Sequence, residues 1–429
     1  MIRKLSSCIL LLFILCYSIL PNNLPSVHAE ADDAIVNNAI ANNDFPIVLV
    51  HGFGGWGRDE MFSFKYWGGL GDIQEQLRKH GHSVYTAAIG TVSSNWDRAC
   101  ELYAQIKGGT VDYGQAHSEL YGHERYGRSY EGMYPSWGEI DPNTGRPKQI
   151  HVIGHSMGGQ TARMLIHLLE KGDASERAVT DASDLSPLFS DQLLPYVSSL
   201  VSLAAPHDGT SFTHFVEGVV PFIHQLIGLI AAASGNAEHP LYDFKLDQWG
   251  LKRMPDDSFF DYFQRVINSK FWRISKDSSL WDLSPDGAKQ FNEQIQANPS
   301  VYYFSIATNK SYRIPLSGWH APKLLMNPLL LPQSYFVGSF AYDSPGHVVI
   351  DEEWWPNDGL VNTISMDGPK NGSNDQIITY QGKPQIGKWN YLGLMDSWDH
   401  LDIVGLGLKN TNDFFLDLAD MLTDLPPAG

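Results

Sequence analysis

The sequence predicts an α/β fold, a central and mostly parallel sheet covered by helices on both faces. Three observations carry that expectation. Short, continuous, β-branched runs such as Pro46 to Val50 (PIVLV) and Gln149 to Ile153 (QIHVI) have the length and character of strands buried on both faces. Segments with helical spacing separate them. No internal repeat and no Pro/Ser linker divides the 429 residues, so one enlarged domain over 30–429 is expected.

Taken in order, Glu30 to Asn43 is a polar lead-in, and PIVLV ends at His51-Gly52 as a central strand. A helix is expected near Asp72 to His80 and a strand over His82 to Ile89. QIHVI is the next strand, and Gln160 to Glu170 (QTARMLIHLLE) the next helix. Val197 to Leu203 and Val301 to Ile306 read as further strands. Trp96 to Lys148 interrupts this alternation. It is rich in Tyr, Gly and His with little apolar periodicity, and so long a loop in a compact domain is usually functional.

The N-terminus has its own logic. Arg3 and Lys4 precede an apolar run from Cys8 to Leu20, and Val27-His28-Ala29 places small residues at −3 and −1 of a cleavage site. Residues 1–29 are therefore expected to be a secretory signal peptide, giving an exported protein without a membrane anchor in its mature form. Of three cysteines only Cys100 would survive, so no internal disulfide could form. The formal charge of −18, from 48 acidic and 30 basic residues, excludes a nucleic-acid partner.

Gly154-His155-Ser156-Met157-Gly158 is a G-x-S-x-G match between a buried strand and a helical segment. That context identifies a nucleophile elbow of the α/β-hydrolase type, whose sharp turn requires small neighbours and lifts Ser156 above the sheet. An alkoxide intermediate needs donors. The N–H of Met157 follows the nucleophile, and Phe53, in the His51-Gly52-Phe53-Gly54-Gly55 loop after the first strand, supplies the second. A serine also needs a base and an acid, in the order Ser, acid, His. Position near the C-terminus favours His400 over His320 and His347. The Asn357-Asp358-Gly359 turn favours Asp358 over Asp343.

These residues belong to a longer series: HGFGGW at 51–56, SNWDRACE at 94–101, GGTVDYG at 108–114, GHSMGGQTAR at 154–163 and APHDGT at 205–210. YDFKLDQWGL at 242–251, NDGLVNT at 357–363, SMDGPK at 365–370 and DHLDIVG at 399–405 continue it. The series resembles the secreted true lipases of staphylococci and thermophilic bacilli, from about Pro46 to Gly405. The resemblance implies Ser156 as nucleophile, Asp358 as acid, His400 as base, and Phe53 and Met157 as oxyanion donors. It implies hydrolysis of triacylglycerol esters at a lipid–water interface. It also implies a structural zinc, on Asp97, His117, His123 and Asp247, clipping the 96–148 insert to the body. Calcium is implied less fully: Asp402 matches one ligand, but Gly407 stands where the family has an acid.

Phe212, Phe215, Val216, Val219, Val220, Ile223, Leu226, Ile227 and Ile230 recur at helical spacing. Alone they read as a core helix; the resemblance implies a lid over about 210–235, which Pro221 would kink. Two other functions stand beside a triacylglycerol lipase. One is a phospholipase or broad carboxylesterase with the same triad. The other is a catalytically silent, metal-bearing surface module.

Overall fold

The computed structural model describes residues 43–61, 64–215, 242–254, 256–269, 271 and 276–426. The signal-peptide expectation over 1–29 and most of the lid expectation, including Pro221, lie outside the described residues.

The elements that build the site follow in chain order. Strand β1 (Ile47–Val50) leads through helix α1 (Ile73–Lys79) to β2 (Val84–Thr86). Helix α2 (Asn95–Lys107) precedes a small hairpin, β3 (Gly109–Asp112) and β4 (Tyr126–Tyr130), which brackets α3 (Gln115–Tyr121). Then come β5 (Ile150–His155), α4 (Met157–Lys171), β6 (Val197–Leu203), β7 (Tyr302–Asn309), β8 (Ser311–Arg313), β9 (His320–Pro322), β10 (Ile377–Thr379), β11 (Trp389–Asp396) and a closing helix, α5 (Asn412–Thr423). Seven strands form one sheet in the order β10-β11-β7-β6-β5-β1-β2, every pair parallel.

Both faces of that sheet are buried, and the strand period of two divides the core. Ile47 and Leu49 of β1 enter one apolar cluster with α1 and α5, while Val48 and Val50 enter the other with α2 and α4. That two-sided burial is why PIVLV has no polar alternation. Helix starts follow side-chain caps: Asp72 accepts from the Glu75 N–H ahead of α1, and Ser94 from the Asp97 N–H ahead of α2.

The stretch from Trp96 departs from the sequence expectation. Its first part is a core helix rather than a loop. In α2 the apolar Ala99, Leu102 and Ile106 are buried, and so are Asn95, Asp97, Arg98, Glu101 and Gln105. Polar side chains packed into the interior erase the apolar stripe on which periodicity depends. Among the described residues no helix is long and apolar enough to cross a membrane.

Candidate active site and metal centre

Ser156 sits between β5 and α4 with φ 55° and ψ −131°, a left-handed conformation costly for a non-glycine residue. The turn survives because its neighbours are glycines. A Cβ on Gly158 would lie 2.2 Å from the Val50 carbonyl oxygen, and one on Gly154 would lie 2.5 Å from the Gly158 backbone. The Ser156 N–H donates to Leu203 O at 2.8 Å, tying the turn to β6. Met157 begins α4, where its N–H has no intrahelical acceptor and the helix dipole favours negative charge.

The loop after β1 is held from two sides. Buried Arg98 donates to the carbonyl oxygens of His51 and Gly90 and, at 2.8 Å, to Thr161 Oγ1. On the other side the Gly52 N–H donates to the Tyr66 hydroxyl at 3.0 Å, and that hydroxyl meets His155 Nδ1 at 2.6 Å. Burial, then the nearby His400, hold the His155 imidazole well below its ordinary pKa, so it is neutral and accepts a hydrogen bond from the Tyr66 hydroxyl. Phe53, the residue after Gly52, is thereby fixed at the mouth of the site.

Asp358 and His400 meet as the chain order required. His400 Nδ1 donates to Asp358 Oδ2 at 2.7 Å, and the His400 N–H to the Asp358 carbonyl at 2.9 Å. The fully buried Asp358 carboxylate accepts three more hydrogen bonds: from Thr308 Oγ1 (2.7 Å) and from the N–H groups of Leu360 (3.1 Å) and Val361 (2.9 Å). The rivals lie elsewhere: His347 pairs with Asp286, His320 meets Ser311, and Asp343 is exposed. A second serine–histidine pair, Ser199 Oγ with His151 Nδ1 at 2.7 Å, is structural. It lies buried between β5 and β6, and its other nitrogen is taken by Asn43 Oδ1 at 2.8 Å.

Ser156 and His400 line one cleft. Its walls are mostly apolar, with Phe53, Trp56, Pro206, Phe212, Leu360 and Leu406 among them. An apolar pocket ending at a serine, an imidazole and a helix N-terminus suits an acyl chain with its carbonyl at the polar end.

A second constellation lies at the start of α2. Asp97, His117, His123 and Asp277 each offer one ligand atom, all within 4.8 Å of one another. His117 Nε2 is 3.3 Å from Asp97 Oδ1 and from Asp277 Oδ2; His123 Nε2 is 3.3 Å from Asp277 Oδ2 and 3.9 Å from Asp97 Oδ1. Asp97 Oδ1 and both Nε2 atoms are buried without a hydrogen-bond partner. The surrounding groups orient them for a cation. His123 Nδ1 donates to Glu124 O at 2.9 Å, which leaves Nε2 its lone pair, and Gln248 Nε2 donates to Asp97 Oδ2 at 2.7 Å. The His117 ring stacks on Trp96, centroids 4.8 Å apart. Burial and the facing Asp277 carboxylate push Asp97 upward, the strain a bound cation would relieve.

The structure corrects the fourth ligand. Asp247 is not in the cluster; both its oxygens are taken by Arg128, at 2.6 and 2.8 Å, and the neighbouring Gln248 is what reaches Asp97. Asp277 stands in its place. Nothing in linear spacing marks it, since it lies 154 residues beyond His123 among polar neighbours.

The calcium expectation at Asp402 fails on the same kind of evidence. Lys310 Nζ lies against Asp402 Oδ2 at 2.6 Å and Asp399 Oδ2 at 2.9 Å, and the remaining carboxylate oxygens accept backbone N–H groups. A hard cation needs several free oxygens, and these residues do not offer them.

A family model described as the lipase-like C-terminal domain matches residues 43–426. The chain belongs to that family. This lipase-like chain is 39% identical over 394 residues to a lipase of Staphylococcus epidermidis, covering 89% of the chain and 54% of the relative. It thus spans about half the length of the curated relatives it matches. Among solved structures it resembles lipase 1 of Pelosinus fermentans (48% identity, TM-score 0.83, 89% of this chain and 99% of that one). EstA of Clostridium botulinum is similarly close (42% identity, TM-score 0.85, 91% and 90%).

Proposed function

We propose that this lipase-like chain is a secreted triacylglycerol lipase that cleaves carboxylic esters through an acyl-enzyme. The observation that carries the reading is the Asp358–His400 pair, 2.7 Å apart, in the apolar cleft that also holds Ser156. His400 removes the Ser156 proton as Oγ attacks the ester carbonyl, and Asp358 orients the ring and stabilises the imidazolium. The N–H groups of Phe53 and Met157 receive the oxyanion, the latter aided by the α4 dipole. His400 then protonates the leaving alcohol, and water, deprotonated by the same imidazole, hydrolyses the acyl-enzyme. The family names and the apolar cleft favour a lipid ester substrate.

The cluster on Asp97, His117, His123 and Asp277 suits zinc, with two imidazoles and two carboxylates forming a closed set of four. Its role is structural: α3 and the β3–β4 hairpin are pinned to α2. The basic-then-apolar sequence pattern over 1–29, read as a signal peptide, supports export.

The test is a panel of tributyrin, triolein and phosphatidylcholine with the Ser156→Ala protein as control. Hydrolysis of both triglycerides, with a loss of about 10⁴-fold or more in the variant, is expected. Turnover that survives Ser156→Ala refutes the nucleophile, and activity on phosphatidylcholine alone makes the chain a phospholipase. Metal analysis of the dialysed protein is expected to find one zinc per chain; none refutes that assignment.

A further inference from the structure

The loop that presents His400 is flanked by two buried carboxylates, Asp399 and Asp402, and among the described residues the side-chain cation paired with them is Lys310, the residue following β7. All three side chains are at most 5% exposed. The carboxylates are otherwise bound to their own loop and its neighbours. Asp399 Oδ1 accepts from the N–H groups of Leu401 (3.1 Å) and Asp402 (3.0 Å), and Asp399 Oδ2 from Asn327 N (3.0 Å). Asp402 Oδ2 accepts from Asp399 N (3.0 Å) and Asp402 Oδ1 from Leu408 N (3.0 Å).

Lys310 also reaches the acid. Its backbone N–H donates at 3.0 Å to the carbonyl of Asn357, the residue before Asp358. One residue thus grips the loop that carries Asp358 through its backbone and the loop that carries His400 through its ammonium. At Gly407, where the family would place a further acid, a Cβ would lie 1.9 Å from Asp402 Oδ1. No carboxylate fits at 407 while Asp402 points at Lys310.

We infer that Lys310 is a positioning residue whose ammonium takes the place of a calcium ion, so that the His400 loop is held by an internal cation and needs no divalent metal. A single ammonium satisfies two carboxylates with directed hydrogen bonds where calcium would demand six to eight oxygens. The anchor is covalently part of the chain and cannot be diluted or chelated away. The inference rests on reading His400 as the base of the proposed ester hydrolysis.

The experiment uses full-length protein desalted into calcium-free buffer. Equilibrium dialysis with radioactive calcium, at about 1 mM free ion, the weak end for extracellular calcium modules, is expected to find none bound, and the same addition leaves Tm and kcat unchanged. Stoichiometric calcium binding that raises Tm overturns the inference. Lys310→Ala is expected to lower kcat on a short-chain ester by about 10-fold or more with KM moving less than about twofold. Added calcium or ethylammonium, which can refill the space between the two carboxylates, restores part of that loss. Wild-type kcat in the variant, or a loss that neither cation repairs, overturns the inference. Should Lys310→Ala not fold, Asp402→Asn, which leaves the ammonium one carboxylate, is expected to lower kcat in the same way; an unchanged kcat there is equally decisive against it. If the wild type hydrolyses no ester, the functional reading fails, while calcium binding and Tm still decide the role of Lys310.

Discussion

Exchanging one carboxylate for its amide separates the two candidates for the fourth metal ligand. Asp277→Asn keeps the volume of the side chain, which is 1% exposed and 3.3 Å from both imidazoles, but removes the charge and one good oxygen donor. Zinc held by four protein ligands contributes about 10–16 kcal/mol of apparent binding energy at neutral pH. A quarter of that is roughly 3 kcal/mol, or about 100-fold in Kd. Asp247→Asn acts on a different object. It breaks a bidentate pair with Arg128 whose side chains are 30% and 17% exposed, and Arg128 keeps Asp243 at 2.8 Å. Solvent screening holds that loss to about 1 kcal/mol of stability, with zinc affinity unchanged. The assay is zinc content after dialysis against buffers of fixed free zinc, with thermal unfolding beside it. Zinc retained by Asp277→Asn and lost by Asp247→Asn would refute the geometric argument outright.

Two other perturbations test the interior. Thr308→Val removes the hydroxyl that shares Asp358 Oδ2 with His400; a hydrogen bond to a buried charge is worth about 1.5–3 kcal/mol, so Tm falls and kcat drops about 10-fold with KM little changed. Kinetics identical to wild type would show that the triad does not depend on that hydroxyl. His151 reports acid stability. Burial lowers its pKa to about 3 in the folded protein, whereas the unfolded chain takes up the proton near 6.5. Its contribution is therefore complete above pH 6.5 and declines by about 1.4 kcal/mol per pH unit as pH falls toward 3. Denaturant titrations of wild type and His151→Gln should diverge in slope across that window; parallel acid limbs would contradict the assignment.

What could be read in the chain followed from where each signal resides. The central strands were legible because burial on both faces leaves an unbroken apolar run, and the elbow because its steric demand is local: Gly154 and Gly158 touch backbone that the same motif brings together. Helix α2 was hidden because Asp97, Arg98 and Glu101 are interior, so polarity no longer marked the surface. Asp277 and Lys310 escaped for a different reason. Each meets partners more than 80 residues away, and no periodicity connects an aspartate at 277 with histidines at 117 and 123, or a lysine at 310 with aspartates at 399 and 402. Thr308 was invisible because a hydroxyl inside a strand is ordinary until the loop above it places a carboxylate on it.

The distribution of buried charge suggests why a protein whose described residues include one cysteine, buried and unpaired, can hold catalytic loops in register. Asp97 and Arg98 are adjacent on α2, the first facing His117, His123 and Asp277 and the second clamping the carbonyl of His51 in the loop after β1. Ordering the cluster therefore orders the turn of helix from which Arg98 holds the His51 carbonyl, two residues before Phe53. On the opposite side of the cleft Lys310 clamps the base loop against the acid loop. Each clamp is a buried cation with directed hydrogen bonds, which fixes orientation where apolar packing would fix only proximity. The Lys310 ion pair adds little net stability over an apolar replacement, so its value lies in geometry. Removing the Lys310 ammonium alone strands two buried carboxylates, a loss of about 3–5 kcal/mol, so the unfolding temperature should fall together with turnover.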